Sequence, residues 1–140
     1  MKIALLSNVT TGVPEEFLKK EHRVWSPPGF GAWMETALAP PAEMIEFAPE
    51  AIYLLLDRHF ETDRAIEEAG DPVEAAAALR SAFPDASVIV PDVAAMAADY
   101  GEGFHEEKMW RLGASPWSLD GIAELVKLFT PKKAIVRPTH

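Results

Sequence analysis

The sequence predicts a three-layer α/β domain: a mostly parallel, doubly wound sheet of four to five strands with helices on both faces. Two unbroken aliphatic runs carry that prediction, Lys2 to Ser7 and Ala51 to Leu56, because strands that lose the apolar–polar alternation are those buried on both sides. The third observation is the order of segments. Strand-like runs are separated by stretches with helix caps, which implies right-handed crossovers rather than hairpins.

With 140 residues, 49% of them hydrophobic, the chain is expected to form one domain over residues 1–140 with a core that needs no metal or disulfide. Cysteine is absent, which removes disulfides, thiolate zinc sites and cysteine nucleophiles, and fits a cytoplasmic setting. The apolar start of the chain is too short for a signal peptide, and no stretch reaches the roughly 20 apolar residues that span a bilayer. The net charge is −9 and the thirteen Lys and Arg residues are scattered, so neither nucleic acid nor an anionic membrane is an expected partner.

The first strand, Lys2 to Ser7, ends in Ser7-Asn8 and a polar turn through Thr10, Thr11 and Gly12. Pro14 suits a first helical residue, Glu15 and Glu16 suit the positive end of a helix, and Phe17 and Leu18 are expected to face inward. His22 to Trp25 forms a short second strand, stopped by Ser26-Pro27-Pro28-Gly29. After the Gly29-Phe30-Gly31 turn, Ala32 to Leu38 is helix-compatible, Pro40 and Pro41 break it, and Ala42 to Phe47 adds a further helical turn.

Ala51 to Leu56 is the strongest strand signal and ends at Asp57-Arg58-His59. Asp71-Pro72-Val73-Glu74 opens a helix with a cap, a first-turn proline and an early acid, and Ala75 to Phe83 continues it. Ser87 to Val90 is the fourth strand. The segment from Pro91 to Trp117 shows no persistent period and reads as a long loop, which in a small domain is often functional. Ser118 caps a last helix with Leu119, Ile122, Val126 and Phe129 at helical spacing, and Lys133 to Val136 is either a fifth strand or a tail.

In such a sheet ligands bind beyond the carboxyl ends of the strands, so chemistry is sought at Ser7, Asn8, the Gly29–Gly31 turn, Asp57 to His59 and the segment after Val90. Asp57 raises a phosphoacceptor receiver domain, but that chemistry needs paired acids after the first strand and a lysine after the fifth. Ser7-Asn8 and Arg137-Pro138 stand there instead. Neither glycine-rich nucleotide motif follows the first strand, although Ser7 to Gly12 offers hydroxyls and amides to an anion. Asp57, His59, Glu61 and Asp63 are metal-capable in type, yet a solvated charged loop explains them better, and neither metal nor cofactor is expected. His105 lies among Glu102, Glu106 and Glu107, while Phe104, Met109, Trp110 and Trp117 either line a pocket or pack the segment onto the sheet.

Several segments together resemble the N-terminal domain of FkbH-like proteins. They are Leu6-Ser7-Asn8-Val9-Thr10, Pro28-Gly29-Phe30-Gly31, the run from Phe47 to Asp57, Met109-Trp110-Arg111-Leu112-Gly113 and Pro116-Trp117-Ser118. The resemblance spans nearly the whole chain and implies an SGNH/flavodoxin-like arrangement. In that family the domain precedes a haloacid-dehalogenase-like catalytic domain, and members are associated with loading glyceryl units onto acyl carrier proteins. By the same resemblance Lys132 to Val136 opens the first strand of that second domain, whose aspartate motif is not among the 140 residues.

The SGNH likeness makes Ser7 the match for the nucleophile, Gly31 for an oxyanion donor and Asp57 to His59 for the third family stretch. A serine hydrolase also needs a histidine base, which in this family likeness belongs just before the last helix, and Leu112 to Ser118 contains none. His59 falls where an oxyanion-hole asparagine is expected, and His105 lies well ahead of the helix. The leading expectation is therefore an accessory, non-catalytic domain that binds a small molecule or supports a separate catalytic subunit, with Asn8, Thr10, Gly31 and Asp57 as binding residues. The alternative is a serine esterase or acyltransferase in which Ser7 attacks and His105 or His59 acts as base.

Overall fold

The computed structural model describes residues 1–9, 11–27, 33–57, 59, 70–113 and 116–129. Its centre is a four-stranded parallel sheet built from β1 (Lys2–Ser7), β2 (Arg23–Trp25), β3 (Ala51–Leu55) and β4 (Ser87–Ile89), in the order β2-β1-β3-β4. β3 pairs with β1 along its full length, from Ala51 opposite Ile3 to Leu55 opposite Ser7. Because side chains alternate across a strand, Ile3, Leu5, Tyr53 and Leu55 enter one core while Ala4, Leu6, Ile52 and Leu54 enter another. That split is why both strands are aliphatic throughout.

Helices cover both faces, giving three layers. The first core is closed by α1 (Gly12–Leu18), α5 (Val93–Tyr100), α7 (Leu119–Val126) and the 3₁₀ turn Lys127–Phe129, through Leu18, Val93, Ile122, Leu125 and Phe129. The second is closed by α2 (Trp33–Leu38), α3 (Ala42–Phe47) and α4 (Pro72–Ala82), through Trp33, Ala37, Met44, Ala75 and Leu79. Burying each large aliphatic side chain contributes roughly 1.5–3 kcal/mol. On the first face the Tyr53 ring packs against Phe129, and burial raises its phenol pKa above the ordinary value.

Capping follows the sequence closely. The Asp71 carboxylate accepts from Val73 N–H at the start of α4, with Pro72 in its first turn, and Ser118 Oγ accepts from Gly121 N–H at the start of α7. Three expectations are corrected. Pro14 lies two residues inside α1 rather than at its start, so the inward face passes through Pro14 and Leu18 and leaves Phe17 40% exposed beside the Lys20 ammonium. Leu119 is exposed, because α7 turns Gly121, Ile122 and Leu125 inward instead.

The third concerns the supposed loop after Pro91, which contains α5 and α6 (Glu107–Gly113). Its signals were the Asp92 cap, whose carboxylate accepts from Ala95 N–H, and four alanines in Val93–Ala98, the residue with the best helix propensity. Alanine on every side hides a period. Among the described residues no helix is long and apolar enough to cross a membrane. The strand considered at Lys133 to Val136 lies outside the described residues.

Candidate functional site

The strand order reverses between β1 and β3, and in open α/β sheets this switch point is where the carboxyl ends part to leave a crevice. Here the crevice is bridged. Asn8 Nδ2 donates to the Asp57 carbonyl at 2.8 Å and Asn8 Oδ1 accepts from Asp57 N–H at 2.9 Å, so the carboxamide continues the β1–β3 ladder one step past its last backbone pair. Both residues are buried.

The clamp fixes the backbone of Asp57, and its side chain points into a cluster of donors. Oδ2 lies 2.7 Å from His105 Nε2 and accepts from Trp117 Nε1–H at 2.7 Å, while Oδ1 accepts from His59 N–H at 2.9 Å. With Asp57 ionised, His105 donates from Nε2, and in the neutral imidazole Nδ1 is then the basic nitrogen. The polarity is opposite to that of a serine-hydrolase triad, in which the carboxylate holds Nδ1 and Nε2 faces the hydroxyl.

Two distant residues converge on one oxygen because their backbones are paired. His105 and Trp117 form an antiparallel bridge flanked by Glu106 N–H to Pro116 O and Ser118 N–H to Phe104 O, and directly opposed residues send their side chains to the same side. Ser118 Oγ secures the pairing through the carbonyls of Gly103 and Phe104. Gly121 lets α7 press onto it, since a Cβ there would stand 2.2 Å from the Phe104 carbonyl oxygen.

The His59 and His105 rings stack in parallel, 3.9 Å between centroids and 3° between planes. Both border a cleft of about 910 Å³ beyond the ends of β3 and β4. Leu56, Val90 and Pro91 contribute apolar surface at the strand ends, and Ala94, Ala97 and Ala98 of α5 form one wall. Small side chains on that helix face leave the space open. The arrangement can hold a small molecule and present it to an imidazole whose orientation is fixed.

No protein-family model matches the sequence, and no curated protein matches it. Among solved structures, the chain is similar to the crystal structure of the N-terminal part of the protein BF1531 from Bacteroides fragilis, described as containing a phosphatase domain complexed with Mg. The TM-score is 0.60 at 12% identity, and the match covers 98% of this chain and 52% of that one. The fold is shared. The chain spans about half of that structure's length.

Of the residues singled out from sequence, the fold brings Asn8, Asp57, His59 and His105 together. Ser7 ends β1 with its hydroxyl accepting from Val9 N–H at 3.2 Å, and it is not among the residues bordering the cleft. Thr10 and Gly31 lie outside the described residues, as do Glu61 and Asp63. Among the described residues no group of three or more His, Asp or Glu side chains is placed to hold a metal ion. Sequence reasoning missed Trp117 as a donor, because an indole that is fully buried in the core also spends its N–H on Asp57. The α5 wall was missed with the helix itself.

Proposed function

We propose that this chain is an accessory, SGNH-like domain similar to the N-terminal domain of FkbH-like proteins, and that it binds a small molecule without turning it over. The observation that carries this reading is the cleft beside α5, whose volume of about 910 Å³ falls within the roughly 300–1,000 Å³ of small-molecule sites. Its strongest polar group, Asp57, is already committed to donors from its own scaffold. The reading also draws on the fold shared with the N-terminal part of BF1531, whose structure contains a phosphatase domain. In this proposal a separate catalytic subunit supplies the chemistry, in the cytoplasm.

A second reading is favoured by one observation, the His105 imidazole held 2.7 Å from a buried carboxylate. In it, Ser7 is the nucleophile of an esterase or acyltransferase and His105 is the base. Treatment with a fluorophosphonate probe, with Ser7→Ala as control, separates the two. The binding reading expects no labelling at Ser7. Labelling that disappears in Ser7→Ala overturns it in favour of the esterase.

A further inference from the structure

The charge-bearing side chains that border the cleft among the described residues are Asp57, Asp92, Glu102 and the imidazoles of His59 and His105. Two of the carboxylates are occupied, Asp57 by three donors and Asp92 by the Ala95 N–H at the start of α5. Of the imidazoles, His105 has its Nε2 committed to Asp57. Beyond these groups the cleft presents surface, the apolar side chains at the strand ends, the alanines of α5 and the flat faces of two rings.

The scaffold orders those rings. Asp57 holds the His105 ring through Nε2 and the His59 main chain through its N–H, so both residues are tied to one buried carboxylate. The buried Phe104 ring meets His105 nearly edge-on, 5.1 Å between centroids and 74° between planes, while the two imidazoles lie 3° from parallel. His105 covers one face of the His59 ring and His59 is nevertheless exposed, so what that ring exposes is its outer face and its edges.

Resting on the reading of the cleft as a binding site, we propose that its ligand is an uncharged molecule with a planar aromatic ring, which adds a third layer to the imidazole stack on the outer face of His59. The rest of the ligand lies against the apolar wall. A platform ordered before binding loses little entropy when a third ring arrives, and offset stacking adds to the gain from buried area. A saturated ring of the same size is more apolar but has no π face, so hydrophobic burial alone predicts the opposite preference. Charge on the ligand gains little here. An anion meets three carboxylates, and a cation finds two of them already occupied.

The test titrates the 140-residue chain at pH 7.5 with benzyl alcohol, cyclohexylmethanol and benzoate, following the backbone amide NMR shifts of the residues that border the cleft. Benzyl alcohol is expected to bind about fivefold more tightly than cyclohexylmethanol, the scale of one aromatic stack, and more tightly than benzoate. His59→Phe, which keeps a flat ring at this exposed position, should retain the preference, and His59→Leu should abolish it. Cyclohexylmethanol or benzoate binding as tightly as benzyl alcohol, or a preference that survives His59→Leu, overturns the inference while leaving the cleft as a binding site. Cleft amides that respond to none of the three overturn both.

Discussion

Two regions at the strand ends are suited to receive a ligand, and they have opposite fates. At the β1–β3 switch point the topology opens a crevice, and the Asn8 carboxamide closes it by bonding both main-chain groups of Asp57. One strand over, beyond β3 and β4, no long side chain crosses from α5, and alanines leave a cleft. Topology states where a crevice can form. Whether it stays open depends on one side chain after the strand and on the size of residues on the neighbouring helix.

Breaking the closed region should have the largest effect. Asn8→Ala strands the buried N–H and carbonyl of Asp57, each of which costs about 1–3 kcal/mol when unpaired, so we expect a loss of about 2–4 kcal/mol in urea unfolding. A loss below about 1 kcal/mol would mean that water fills the crevice at little cost and that the two regions differ less than the geometry implies.

The support of the open region is the next target. Gly121→Ala places a Cβ against the Phe104 carbonyl, a backbone atom that cannot rotate away, and should destabilise by about 1–3 kcal/mol while displacing the His105–Trp117 pairing. Histidine side-chain NMR shifts should report the displacement at His105, with the Asn8 amide shifts unchanged. Smallest in stability is Ala98→Trp, at an exposed position on the α5 wall. It should change unfolding free energy by no more than about 0.5 kcal/mol and yet fill part of the cleft, read as backbone amide NMR shift changes at the residues that border it.

Much of the fold is legible in the sequence where a residue's chemistry and its burial agree. The β1 and β3 runs are aliphatic because each faces two cores, and Asp71 and Ser118 are caps in both type and position. Reading fails where one property serves two ends. The alanines of α5 are apolar by count but too small to mark an inward face, Trp117 is at once core and donor, and Phe17 covers surface rather than filling the core. Asp57, His59 and His105 can be named as polar residues near strand ends. Their convergence cannot, since it depends on a backbone bridge between residues 105 and 117 that no local pattern announces.

The side-chain partners of Asp57 join the chain 48 and 60 residues after it. During folding, a chain that has assembled only the sheet offers that carboxylate, among the described residues, the His59 amide alone, so Asp57 must stay hydrated and the end of β3 cannot dry out. Docking of the C-terminal third supplies both missing donors in one step. One buried side chain thereby links completion of the sheet to arrival of the last helix, which makes partly assembled forms costly.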